Sequence, residues 1–215
     1  NFFGAPFLPF PQTQTGYSYE IGADWQRENR SLKVLLYQLD LNDEIVFDPA
    51  AGVNTGIGNT RRRGIIIEGK YALNRQWRFT ADYSFIDTEI TSGQFSGSDL
   101  TFIANHTAHL ATHYRMTDNL QANLALNGIS SRVLAGDFNN EFSALPGYVV
   151  ADLNLAYQQE KFKIAIHINN LLDREYSDSG SIGFDFRQGF PSPRVETYFP
   201  SPERHFFITF SYNYP

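Results

Sequence analysis

From Gly147 to Tyr176 the chain reads GYVVADLNLAYQQEKFKIAIHINNLLDREY. Val149, Ala151, Leu153, Leu155 and Tyr157 alternate with Val150, Asp152, Asn154, Ala156 and Gln158. A polar turn, Gln159-Glu160-Lys161, follows. Phe162, Ile164, Ile166 and Ile168 then alternate with Lys163, Ala165, His167 and Asn169. A period of two on both arms predicts a β-hairpin with one apolar and one polar face.

The same unit recurs along the chain. A first strand is expected over about 15–27, with Tyr17, Tyr19, Ile21, Ala23 and Trp25 on one face. A second, over about 31–47, sets Leu35, Tyr37, Leu39 and Leu41 against Gln38, Asp40 and Asn42. A Gly- and Asn-rich loop is expected from Asp48 to Asn59. The third strand, about 60–73, carries Ile65, Ile67, Tyr71 and Leu73 opposite Arg62, Gly64, Glu68 and Lys70. The fourth, about 77–90, carries Trp77, Phe79, Ala81, Tyr83 and Phe85. The fifth (about 105–116) and sixth (about 119–133) follow, then the hairpin above. Phe206, Ile208, Phe210, Tyr212 and Tyr214 mark a last strand. Turns near residues 29, 75, 118 and 160 are short. The connections between them, 48–59, 91–104, 134–146 and 171–202, are long.

This pattern predicts about nine antiparallel strands, most of them long enough to cross a bilayer when tilted. Short turns on one rim and long loops on the other are characteristic of an outer-membrane barrel. The polar faces hold Asn, Gln, Asp, His and Arg with few apolar intruders, as a wet lumen requires. Aromatics gather near strand ends, as in the girdles at the two membrane interfaces. A soluble sandwich also alternates, but its strands are shorter. The fold expected is all-β: a transmembrane antiparallel β-barrel.

Composition agrees. Aromatics make up 15% of 215 residues, with 19 Phe and 12 Tyr. The net charge of −6 argues against nucleic acid as a partner. The chain has no cysteine, so disulfides, thiolate metal sites and Cys nucleophiles are excluded. No apolar run approaches the roughly 18 residues of a transmembrane helix. An odd strand count and an opening, NFFGAPFLPFPQTQ, that reads as loop suggest further strands upstream. An open membrane sheet would leave costly unpaired edges in lipid.

Several stretches carry a resemblance. They are Pro11-Gln12-Thr13 through Tyr19-Glu20-Ile21-Gly22; Asn59-Thr60-Arg61-Arg62-Arg63-Gly64-Ile65-Ile66-Ile67-Glu68; Asn169-Asn170-Leu171-Leu172-Asp173-Arg174-Glu175-Tyr176; and Pro200-Ser201-Pro202-Glu203-Arg204 before the final aromatic strand. In order and spacing the chain resembles the carboxyl-terminal part of a TonB-dependent outer-membrane receptor, over residues 1–215 as one domain. The resemblance implies a barrel of about 22 strands, closed by an amino-terminal plug outside this chain. This chain would supply the last strands. The family usually ends on an aromatic residue, whereas this chain ends Tyr214-Pro215.

Candidate contacts are few. Arg61, Arg62 and Arg63 stand where the second long loop meets the third strand. Arg matches carboxylates and phosphates; pairing with lumen acids such as Glu68 and Asp82, or with outer-leaflet phosphates, is the plainer role. The last loop mixes Phe184, Phe186, Arg187, Phe190, Arg194, Tyr198 and Phe199, a set suited to stacking and cation–π contact with a chelate; packing of a long extracellular loop on itself is the plainer role. Within it Arg187, Arg194 and Tyr198 are the expected ligand contacts, with Arg61 and Arg62 beside them. His109 and His113, four apart on a strand, lie about 13 Å apart and do not share an ion. Gly52 to Gly58 superficially resembles a phosphate loop but lacks the Lys-Ser/Thr that must follow. No cofactor and no catalytic set is expected.

The resemblance implies uptake of a ferric siderophore or other metal chelate, energised by TonB through the region upstream, in a wall bathed by outer-membrane lipid and lipopolysaccharide. A passive porin and, more remotely, an outer-membrane enzyme are the rivals.

Overall fold

A computed structural model describes residues 13–213. Pro11 and Gln12 of the first motif, and Tyr214 and Pro215 at the end, lie outside the described residues. Among the described residues the main sheet has nine strands: β1 (Thr15–Arg27), β2 (Arg30–Asp48), β3 (Val53–Ala72), β4 (Trp77–Ile90), β5 (His106–Arg115), β6 (Leu120–Ile129), β7 (Tyr148–Gln159), β8 (Phe162–Asn169) and β11 (His205–Tyr212). Each pairs antiparallel with the next, in the order β1-β2-β3-β4-β5-β6-β7-β8-β11. Between β8 and β11 a second hairpin, β9 (Ser177–Phe184) and β10 (Arg194–Pro200), forms its own two-stranded sheet.

The short turns close as their residues dictate. Glu28 and Asn29 link the Arg27–Arg30 pair. Asn74 Oδ1 accepts from Gln76 N and Trp77 N, each at 2.8 Å. Thr117 Oγ1 accepts from Asn119 N and Leu120 N. Glu160 adopts φ 37° in the β7–β8 turn. All four turns lie on one rim and every long connection lies on the other.

The register shows what each face carries, since directly opposed residues share a face. One continuous surface runs through Ile21, Leu36, Ile65, Phe85, Ala108, Leu126, Leu153, Ile166 and Ile208. This is the lipid face, and its large side chains are exposed: Ile21 by 71% and Phe210 by 65%. The opposite face carries Glu68, Asp82, His109 and Asn127, and below them Arg78, His113, Asn123, Asn154 and His167. These polar groups pair across strands: His109 with Asn127 at 2.7 Å, His113 with Asn123 at 2.6 Å. Among the described residues β1 and β11 each keep one unpaired edge, and the sheet is open.

Three expectations are corrected. In β2 the lipid-facing set is Leu32, Val34 and Leu36, while Leu35, Tyr37, Leu39 and Leu41 face inward. Both phases of this strand are apolar, so periodicity alone did not separate them. The inward side chains cover glycines: a Cβ on Gly64 would lie 2.6 Å from the Tyr37 ring. The lumen wall is accordingly less purely polar than its other strands suggest. Second, most of the expected 48–59 loop is strand, because β3 begins at Val53 and pairs with the end of β2. Third, the 171–202 connection is largely the β9–β10 hairpin. Its first arm, SDSGSIGF, has too little alternation to read as a strand.

Candidate functional site at the long-loop rim

Above the apolar band the long connections pack on one another rather than splaying into solvent. Ile57, Ile90, Leu100 and Phe138 form one buried cluster joining β3, β4 and the connections 91–105 and 130–147. Leu134, Leu145 and Ile182 form a second, which seats the β9–β10 hairpin on the 130–147 segment. Gly180 lies where a Cβ would meet Leu134 Cδ2 at 2.7 Å and the Thr197 carbonyl at 3.1 Å, so a larger residue would have to push Leu134 aside.

Polar groups fix the backbone between the clusters. Buried Asp137 accepts from Glu141 N at 2.9 Å and Phe142 N at 3.0 Å, folding that loop on itself. Asn140 Oδ1 accepts from Asp99 N at 2.7 Å, tying it to the 91–105 connection. Glu196 on β10 accepts from Ser143 N at 2.8 Å and from the Tyr198 hydroxyl at 2.9 Å. The Ser143 amide, then Tyr198, hold the Glu196 carboxyl below its ordinary pKa. The result is a cap of interlocked loops on one wall.

Beside this cap lies a cleft of about 620 Å³, bordered by Tyr148, Tyr176, Tyr198, Arg174 and the 200–203 segment. The Tyr148 and Tyr176 rings are 4.3 Å apart. The volume falls within the range of small-molecule sites, and aromatic rings with a guanidinium suit a flat or anionic ligand.

The sequence candidates fall in different places. Tyr198 borders this cleft. Arg194 borders a smaller one of about 250 Å³; its Nη2 donates to the Gly136 carbonyl at 2.9 Å and its guanidinium sits 5.2 Å from the Phe142 ring centre. Arg187 projects from the hairpin tip with its side chain 90% exposed, bonded at 2.7 Å to Asp185. Arg187 and then Gln188 hold the Asp185 carboxyl far below the usual carboxylate range.

Arg61 and Arg62 point to opposite faces. Arg61 shares a lateral row with Asp40 and Glu89 on the outer side, just beyond the apolar band, and bonds Asp40 at 2.7 Å. Arg62 turns inward and clamps Glu44 through both oxygens, at 2.9 and 2.5 Å, where the Thr60 hydroxyl also donates. The partners are therefore Asp40 and Glu44, not Glu68 and Asp82. A β-bulge explains Glu44. Asn42 and Asp43 stand opposite Asn59 alone, with Asp43 at φ 53°, and the extra residue re-aims Glu44 to the inner face.

Sequence reasoning missed Arg132, Asp137 and Glu44 as organising groups. For Arg132 and Asp137 the hint was a charged residue beside apolar neighbours in a connection; Glu44, after Asn42 and Asp43 on β2, gave none. Among the described residues, no three His, Cys, Asp or Glu gather as a metal-binding set.

A sheet apolar outside and polar inside, with short turns on one rim and interlocked loops on the other, is the wall of an outer-membrane β-barrel. The chain belongs to the TonB dependent receptor-like β-barrel family, whose sequence model matches residues 1–171. It is 30% identical over 173 residues to the ferrichrome outer membrane transporter/phage receptor of Escherichia coli K12, covering 75% of this chain and 23% of that protein. It is 22% identical over 171 residues to the pesticin receptor of Yersinia enterocolitica, covering 76% of this chain and 25% of that protein. The chain thus spans about a quarter of the length of the curated relatives it matches. Among solved structures it resembles the ferric yersiniabactin uptake receptor FyuA from Yersinia pestis, at TM-score 0.78 and 19% identity over 94% of this chain and 30% of that one. It also resembles the copper transporter OprC, at TM-score 0.77 and 19% identity over 96% of this chain and 32% of that one.

Proposed function

We propose that this chain is barrel wall and part of the ligand-contact rim of a receptor that takes up a ferric siderophore or similar metal chelate across the outer membrane. Energy comes from TonB, acting through a part of the receptor outside this chain, and the wall sits in outer-membrane lipid and lipopolysaccharide. The chain does no covalent chemistry. The observation that carries the reading is the interlocked cap with its tyrosine-lined cleft, on a wall whose 30%-identical relative is a ferrichrome transporter.

Tyr198 and Arg194 meet the chelate at the rim, and Arg187 offers an exposed first contact. Arg61 faces lipid headgroups, and Arg62 braces the β2–β3 hairpin. The test is growth of a deletion strain under iron limitation on ferrichrome, ferric citrate and ferric catecholates supplied singly. Loss of growth on one chelate, restored by the gene, is expected; normal growth on all of them overturns the iron reading. A passive channel is distinguished by uptake that persists when TonB is removed.

A further inference from the structure

Arg132 is 7% exposed and lies in the connection between β6 and β7, where its backbone exchanges both hydrogen bonds with Leu145. Its guanidinium stands 5.1 Å from the centre of the Phe102 ring and 6.0 Å from that of Tyr148. Nη2 donates to the Asp178 carbonyl, and Nη1 is buried without a partner among the described residues. Phe102 belongs to the 91–105 connection, Tyr148 begins β7, and Asp178 lies on β9. One side chain therefore touches three segments that are remote in sequence.

The contact is made at a cost on both sides. Phe102 is held at φ 63°, a region bulky side chains avoid, and its amide is anchored on the Val133 carbonyl at 2.8 Å. Arg132 makes no salt bridge among the described residues, although it is nine-tenths buried. A buried cation with no counter-ion draws its stabilisation from the two ring faces and the carbonyl together. One of those rings, Tyr148, lines the cleft and packs at a tilt against Tyr176.

We propose that Arg132 is a positioning residue that locks the 91–105 connection, the head of β7 and the β9–β10 hairpin into one body and so sets the shape of the tyrosine-lined cleft. The locking does not depend on the uptake reading; only the cleft's role in ligand contact rests on it. Because the lock uses charge and a planar donor, shape alone does not replace it.

The test is amide hydrogen exchange on the full-length receptor in lipid nanodiscs, with no ligand added. Arg132→Met keeps the length of the side chain but loses charge and donors. It is expected to speed exchange about tenfold in 98–104, 174–177 and 178–183 together, leaving β5 and β6 unchanged. Arg132→Lys retains a cation and a donor but loses the planar fork, and is expected to fall between the two, at about threefold over wild type. Phe102→Leu removes one ring without unseating Arg132 and loosens 98–104 alone. Wild-type exchange in Arg132→Met, loosening confined to residues beside position 132, or equal loosening by Met and Lys would each overturn the proposal. If Arg132→Met does not assemble, the Lys and Phe102 variants decide it. Growth that does not depend on any chelate would sink the uptake reading and leave these exchange results standing.

Discussion

Arg62 and Glu44 form the most enclosed ion pair of the described residues, with side chains 16% and 9% exposed. A pair so buried gains little over an apolar substitute, but breaking it leaves one charge stranded. Glu44→Ala is therefore expected to cost about 3 kcal/mol, read as faster exchange across Val53–Thr60. The double change Glu44→Met with Arg62→Met should recover most of that loss. Equal costs for the single and double changes would mean the pair is not coupled. Gly64 makes a second residue-scale case. A Cβ there would lie 2.6 Å from both the Phe85 carbonyl and the Tyr37 ring. Gly64→Val should destabilise by about 1–3 kcal/mol, as overpacking does. Adding Tyr37→Ala should relieve only part of it, because the carbonyl stays.

At the scale of elements, the β9–β10 hairpin is held to the 130–147 segment by the Leu134–Leu145–Ile182 cluster and by Glu196. The Glu196 carboxyl titrates below its ordinary value in the fold, the Ser143 amide being the first cause. A lowered folded pKa stabilises above the unfolded value, and that contribution disappears as pH falls through the folded value. Exchange in 141–145, taken relative to each amide's intrinsic rate at the same pH, should thus be flat from neutral pH to about 5 and rise below about 4. Glu196→Gln, which cannot ionise, should remove that rise; an unchanged acid response would assign it to another group. How legible these elements were depended on local chemistry. β1, β4, β7 and β8 read at once because each has one apolar phase. β2 has two, Leu32-Val34-Leu36 and Leu35-Tyr37-Leu39-Leu41, so its facing waited on the register with β1 and β3. The hairpin hid because Ser and Gly fill one arm. Arg194 and Tyr198 stood out in the sequence as an Arg–aromatic mixture, but the fold sets them on different clefts. Arg132 was not, since its meaning lies in Phe102, Tyr148 and Asp178, which only tertiary structure brings together.

Across the whole molecule the governing asymmetry is between the two faces of one sheet. Leu124 and Ala125 are neighbours on β6, yet the register sets Leu124 beside Thr112 and Leu153, and Ala125 beside Ala111 and Asp152. If the first face meets hydrocarbon and the second a wet lumen, one substitution should have opposite consequences one residue apart. Leu124→Arg places a cation among lipid chains near mid-strand and should cost about 2–4 kcal/mol of folding stability in bilayers. Ala125→Arg places the same cation opposite the Asp152 carboxylate and should be tolerated, within about 1 kcal/mol. Urea titration of the full-length receptor refolded into lipid vesicles measures both. Similar losses at both positions would mean that the two faces share one environment, as in a sheet buried on both sides, and the membrane wall would fall with them.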